Sequence, residues 1–337
     1  EVDVSGLMFS RKRKVLTGVN YTVAKNEMIF FDKWREGIQQ KLEKKLPGYE
    51  VAITSFSKDE TKAVVVTYSD KSRGTYYHYD VDKNKLIELG EVSPWLKEEN
   101  MSEMKPVKYM SRDGLTINGY LTLPKGTNGK NLPVVVNPHG GPWARDNWGY
   151  KSEIQFLANR GFAVFQMNFR GSTGYGREFW EKSFKEWGKS MQDDITDGVN
   201  WLIDEGIADP DRIAIYGASY GGYATLAGLA FTPDLYACGV DYVGVSSLFT
   251  FMESLPPYWE LYRKMLYEMV GHPEKDKELT AFLKEGATLV AQTEPNTLYW
   301  YALKKNIENM INMGGFQPCN TIVLHCFFKV FQGSACP

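Results

Sequence analysis

Asp211-Arg212-Ile213-Ala214-Ile215-Tyr216-Gly217-Ala218-Ser219-Tyr220-Gly221-Gly222-Tyr223 is the stretch on which the fold turns. Arg212 to Tyr216 is a short apolar run with β-branched residues, the composition of a buried parallel strand. Gly217 to Gly221 matches G-x-S-x-G, and Gly222 to Phe231 continues as a helix of small residues. Strand, sharp turn and helix form the context in which this motif lifts a serine hydroxyl above the end of a sheet. The spacing has a steric reason, because side chains at 217 and 221 would collide inside the turn. Ser219 is therefore read as a nucleophile. The amide of Tyr220, at the helix start, points to where a negatively charged oxygen would form.

The rest of the composition sets bounds. A chain of 337 residues suggests about two domains. Its hydrophobic fraction of 43% supplies sizeable cores, and its net charge of −2 offers no basic field for nucleic acid or a membrane surface. Arg11-Lys12-Arg13-Lys14, the one basic run, reads as an exposed strand or turn. No apolar run has the length of a membrane span, so a soluble protein is expected. All four cysteines (Cys238, Cys319, Cys326 and Cys336) fall in the last third, which is no disulfide framework, and no Cys/His spacing suggests zinc. No metal or cofactor is expected. The chain opens at Glu1 without Met, inside what reads as β structure, so its natural start is expected upstream, and the lack of a leader leaves the compartment open.

Taken in order, residues 1–31 read as strand pieces, clearest at Val15-Leu16-Thr17 and Met28-Ile29-Phe30-Phe31. A helix follows, capped by Asp32, with Trp34, Ile38, Leu42 and Leu46 as its stripe and Pro47-Gly48 as its stop. Four short strands come next, near 49–57, 62–68, 75–81 and 85–89. Four antiparallel strands in about 40 residues is the pattern of one propeller blade. Residues 1–100 are thus expected to be a partial β-propeller, with its other blades upstream. The polar stretch 93–106 reads as a linker. From Val107 the pattern changes to a hairpin at 107–111 and 115–123, then strands near 132–137, 162–169, 212–216 and 237–245. Helices are expected at 152–159 and 192–205, the second with Ile195, Val199 and Leu202 on one face. Such alternation predicts an α/β fold with a doubly wound, mostly parallel sheet.

Pro138-His139-Gly140-Gly141-Pro142 follows the first of those parallel strands. A Gly-Gly turn there lets backbone amides approach a ligand, so Gly140 and Gly141 are read as further oxyanion donors beside Tyr220. His139 precedes the serine, against the Ser–acid–His chain order of this fold, and is given a loop-stabilising role. The glycine-rich stretch Asn168 to Gly176 lacks the Gly-Lys-Ser/Thr ending of a phosphate loop, so no nucleotide is expected.

These motifs, with Asp194-Ile195-Thr196-Asp197-Gly198-Val199, resemble the prolyl oligopeptidase family of serine peptidases, in its dipeptidyl aminopeptidase and acylaminoacyl peptidase branch. The resemblance covers roughly 107–285. It implies a β-propeller that screens substrates by size, followed by an α/β-hydrolase (107–285) that cuts short peptides through an acyl-enzyme on Ser219. Residues 286–337 depart from it. The family's Gly-x-x-Asp strand end and Gly-His-Gly loop are missing, no aspartate follows Asp276, and the acids beyond Gly286 are Glu294 and Glu308. His325 is the remaining candidate base, in an apolar run without flanking glycines. Asp241 is read as structural. So abrupt a change reads as a shifted frame or substituted end, and it leaves an esterase of the same fold, or an impaired peptide-binding fragment, as the alternatives. Preference at the cleaved bond and oligomeric state stay open.

Overall fold

The computed structural model describes residues 2–272 together with 275 and 276. These residues build three separate sheets. The first is antiparallel: β1 (Val4–Ser10), β2 (Val15–Thr22) and β3 (Asn26–Phe30). Between β1 and β2, Arg11 to Lys14 form a turn, and Arg13 pairs with Asp32 at 2.6 Å. Asp32 also accepts the amide of Arg35 at 2.8 Å, which starts α1 (Lys33–Lys45) as an N-cap does.

Helix α1 lies on the second sheet, an antiparallel meander in chain order: β4 (Glu50–Phe56), β5 (Lys62–Tyr68), β6 (Thr75–Asp80) and β7 (Lys85–Glu91). Ile38 and Leu42 of the helix meet Val51, Val65 and Tyr79 of the sheet in a small core of their own. Trp34 departs from the expected stripe. It stays 39% exposed at the rim, with the Phe56 ring of β4 5.9 Å from it on one side and the Arg13 guanidinium 4.9 Å from its ring centre.

The third sheet has six strands in the order β13-β12-β10-β11-β9-β8. They are β8 (Met104–Met110), β9 (Thr116–Thr122), β10 (Leu132–Val136), β11 (Ala163–Asn168), β12 (Ala208–Ala218) and β13 (Cys238–Tyr242). The four strands β13, β12, β10 and β11 run parallel, while β9 and β8 pair antiparallel at one side. Helices α2 (Ser152–Asn159), α3 (Arg177–Glu181), α4 (Ser190–Asp204), α5 (Tyr220–Phe231), α6 (Leu248–Glu253) and α7 (Glu260–Met269) follow the strands. Alternate residues of β10 divide between two cores. Val134 and Val136 join Ile195, Val199 and Leu202 of α4, whereas Val135 joins Ile154 and Leu157 of α2. A strand buried on both faces needs an unbroken apolar run, which is what Leu132 to Val136 supplies.

Two expectations change in detail. Strand β12 begins at Ala208, earlier than its apolar run, because Ala208 pairs with Leu132 across a bulge. The stretch read as a linker is tightly fixed at its end. Met104 already pairs with Thr122, its amide donates to Asp70 at 2.8 Å, and Gln155 holds both the amide and the carbonyl of Ser102 at 2.8 Å. Short α3 and α6 carry no apolar stripe long enough to read in advance, whereas α7 has one in Tyr262, Met265, Leu266 and Met269.

Beneath the loops of the six-stranded sheet lies a buried ion pair. Asp194, fully buried, accepts the Arg170 amide and Nε at 2.8 Å, its Nη2 at 2.7 Å and the Ser111 hydroxyl at 2.7 Å. Removing one partner of such a pair strands the other charge in a medium that cannot solvate it. Asp194→Ala is expected to cost about 3–5 kcal/mol in urea unfolding. Arg177→Ala, on an exposed face, should stay within about 0.5 kcal/mol; equal effects would contradict the assignment.

Candidate active site

Ser219 sits between the end of β12 and the first residue of α5, with φ 57° and ψ −118°. That left-handed backbone is costly for a residue with a Cβ and persists only where its surroundings enforce it. Three contacts do so. The Ser219 amide donates to the carbonyl of Tyr242, the last residue of β13, at 3.0 Å, and its carbonyl accepts the Tyr223 amide at 3.0 Å. The Tyr220 ring, 1% exposed, is wedged between Trp187 and Phe169, with ring centres 4.5 and 5.2 Å away. Anchoring that ring fixes the direction of the Tyr220 amide.

The two motif glycines earn their places by close approach. A Cβ on Gly217 would enter the backbone of Gly221, and one on Gly221 would enter the carbonyl of Pro138. The turn therefore packs directly on the 138–142 loop. From Gly140 a Cβ position lies 3.0 Å from the Ala218 carbonyl oxygen and 3.5 Å from Ser219 Cβ. Ser219, Tyr220 and Gly140 are thus brought together, and Gly141 follows in the same loop. Asn137 ties the loop's start to β12, donating from Nδ2 to the Tyr216 carbonyl at 2.8 Å.

His139 turns into its own loop. Nδ1 lies 2.8 Å from the Gly140 carbonyl oxygen and Nε2 lies 2.8 Å from Ser172 Oγ, while its ring stacks on Phe169 at 4.3 Å. A carbonyl can only accept, so the Gly140 carbonyl calls for a proton on Nδ1, while Nε2 faces the oxygen of the Ser172 hydroxyl. The Phe169 carbonyl accepts both the Ser172 hydroxyl at 2.7 Å and the Ser172 amide at 3.0 Å. Ser172 belongs to the glycine-rich stretch, and its partnership with His139 has no sequence signal beyond a small polar residue in a turn. Asp241, at the end of β13, accepts the Gly244 amide at 2.8 Å behind the turn, where a Cβ on Gly222 would enter its carboxylate. Burial pushes its carboxyl above the ordinary range, and the Gly244 amide offsets part of that. Among the described residues no side chain hydrogen-bonds the Ser219 hydroxyl. His325, Glu294 and Glu308 lie outside the described residues.

The setting of His139 has a pH consequence. Burial holds its pKa below the usual value, against a smaller upward pull from Asp146. The unfolded chain, with a histidine near 6.5, takes up a proton that the folded loop resists, so stability falls as pH drops below about 6.5. Thermal unfolding at pH about 7 and about 5 should show a smaller loss for His139→Gln than for the parent. An equal loss in both would place the effect elsewhere.

Comparison with known proteins agrees with this arrangement. The model of the prolyl oligopeptidase family matches residues 148–282. Dipeptidyl aminopeptidase BIII of Pseudoxanthomonas mexicana is 38% identical over 281 residues, covering 81% of this chain and 41% of that protein. Dipeptidyl peptidase family member 6 of Caenorhabditis elegans is 36% identical over 69% of this chain and 34% of its own length. The chain therefore spans about two fifths or less of these relatives. Among solved structures, a puromycin-hydrolyzing peptidase of Mycobacterium tuberculosis superposes with a TM-score of 0.57 at 28% identity, over 65% of this chain and 35% of that one. The acylaminoacyl peptidase of Pyrococcus horikoshii shares the fold, with a TM-score of 0.64 at 22% identity over 84% of this chain and 43% of its own. With a serine held in a strained strand-to-helix turn against a glycine loop, and with these relatives, the chain belongs to the prolyl oligopeptidase family of serine peptidases.

Proposed function

We propose that this chain carries the hydrolase part of a peptidase acting on short peptides, dipeptidyl- or acylaminoacyl-peptidase-like, with Ser219 as nucleophile. The observation that carries the reading is the backbone of Ser219 itself, left-handed and pressed against Gly140. Strain of this kind is retained where it serves to present a side chain. In the proposed reaction Ser219 Oγ attacks the scissile carbonyl carbon and its proton passes to a base. The carbonyl oxygen becomes an oxyanion, faced by the amide of Tyr220 and those of Gly140 and Gly141. The C–N bond then breaks, the amine departs with the proton, and water cleaves the acyl-enzyme. No residue described here is assigned as the base. His325 remains the sequence-derived candidate, and no cofactor is invoked.

The propeller-like segment favours this reading over that of a small-ester hydrolase, because a size filter suits peptides. A cavity of about 530 Å3 lies between the N-terminal strands and the six-stranded half, lined by Asp3, Asn26, Arg145, Trp148, Thr173 and Gly174. The domain division at 100–107 belongs to the same proposal, with residues 1–100 walling one side of the cavity. The competing reading is an impaired fragment that binds peptides only.

Turnover decides among them. The purified chain should hydrolyse a dipeptidyl anilide faster than a simple acyl ester, and Ser219→Ala should remove the activity. Gly140→Ala should lower kcat by about 10²-fold, the size of a lost oxyanion donor. Faster ester cleavage would favour the esterase, and no cleavage of either compound would favour the impaired fragment.

A further inference from the structure

Four consecutive residues at the β2–β3 turn, Thr22 to Lys25, engage three side chains of the six-stranded half, Arg145, Tyr120 and Trp148. Arg145 donates from Nη1 to the Thr22 carbonyl at 3.2 Å and from Nη2 to the Val23 carbonyl at 3.1 Å. The Tyr120 hydroxyl donates to the Ala24 carbonyl at 2.8 Å. The Lys25 ammonium lies 3.6 Å from the ring centre of Trp148. Backbone carbonyls of a turn normally face water, and here three in a row face donors of one surface.

The guanidinium at the centre of this seat is held from its other side as well. Arg145 Nη2 donates to the Tyr175 hydroxyl at 2.9 Å, and its carbon stands 4.4 Å from the centre of that ring. No carboxylate pairs with Arg145 among the described residues. Its charge is spent on carbonyl and hydroxyl oxygens that fix a direction. On either side of it the backbone is fixed too. The Ala144 carbonyl accepts the Thr173 amide at 2.9 Å. The fully buried Asn168 accepts the Asp146 amide at 2.7 Å and donates to the Asp146 carbonyl at 3.0 Å.

Residues 144–146 are therefore one anchored end of the glycine loop, and His139 on Ser172 is the other. Only Gly140 to Trp143 lie between the two. We infer that Arg145 is a positioning residue for the proposed oxyanion loop, and that the turn Thr22–Lys25 is the surface against which it sets that loop. In this arrangement the N-terminal sheet shares in building the active site, beyond walling it. The inference rests on the reading of Gly140 and Gly141 under Proposed function.

Hydrogen exchange and turnover, measured together on the full chain, test it. Arg145→Ala should speed exchange of the Asp146 and Thr173 amides by about tenfold, the worth of one charge-assisted hydrogen bond, with amides of β12 and α4 unchanged. The same variant should lower kcat with little change in KM, and N-ethylguanidinium should restore both readouts. Arg177→Ala, with its side chain 84% exposed, serves as the control. Unchanged exchange at Asp146 and Thr173, a rise shared with β12, or failure of the guanidinium to restore either readout would overturn the inference. If the parent chain shows no turnover, the peptidase reading fails, and the exchange result with its guanidinium rescue still decides whether Arg145 sets the loop.

Discussion

The structure around Ser219 depends on one constraint, the close contact of three backbone segments at glycine positions, with the Asp241 carboxylate set against two of them. The turn at Gly217–Gly221, the loop at Pro138–Gly140 and the chain leaving β13 at Tyr242–Gly244 all meet there. Each meets its neighbour through glycine positions where a Cβ would enter backbone or carboxylate atoms. Amides brought this close need no reorganisation when charge develops nearby, which is how preorganised donors lower a barrier. The serine pays for the geometry with its left-handed backbone. Its Tyr220 neighbour, locked into an aromatic cluster, keeps the turn from relaxing.

Backbone contacts of this kind are only as good as what holds the loops, and here the holding is polar and buried. Asp194 gathers Arg170 and Ser111 under the glycine-rich loop. That loop presents Ser172 to His139, and His139 in turn caps the Gly140 carbonyl. Asn168 and Thr173 fix the far side at Asp146 and Ala144. Such networks are costly when half satisfied and rigid when complete. The parallel strands supply the platform, since each loop leaves the carboxyl end of a strand that is buried on both faces.

Much of this was legible in the sequence. Alternating strands and helices from Val107, the strand–turn–helix around Ser219, the Asp32 cap and the four even strands after Pro47 all obey local periodicity, and local periodicity survives in a linear reading. The Pro138–Pro142 loop was legible because two glycines follow an apolar strand. What escaped joins residues distant in the chain: Ser172 to His139 across 33 positions and Arg145 to Val23 across 122. No repeat or spacing encodes such a pair, and serine or arginine in a turn is ordinary. Strand β8 was clipped for a related reason, as Met104 and Lys105 look like linker until Thr122 and Leu121 pair with them.

The chemistry of this site rests on Ser219 being presented for attack. Treating the chain with a fluorophosphonate and mapping the adduct by peptide mass spectrometry tests it most directly, because the reagent modifies only a serine that can be activated. A single adduct is expected on the peptide holding Gly217 to Tyr223, lost in Ser219→Ala. An unmodified Ser219 beside a labelled serine elsewhere, or no adduct at all, would contradict it.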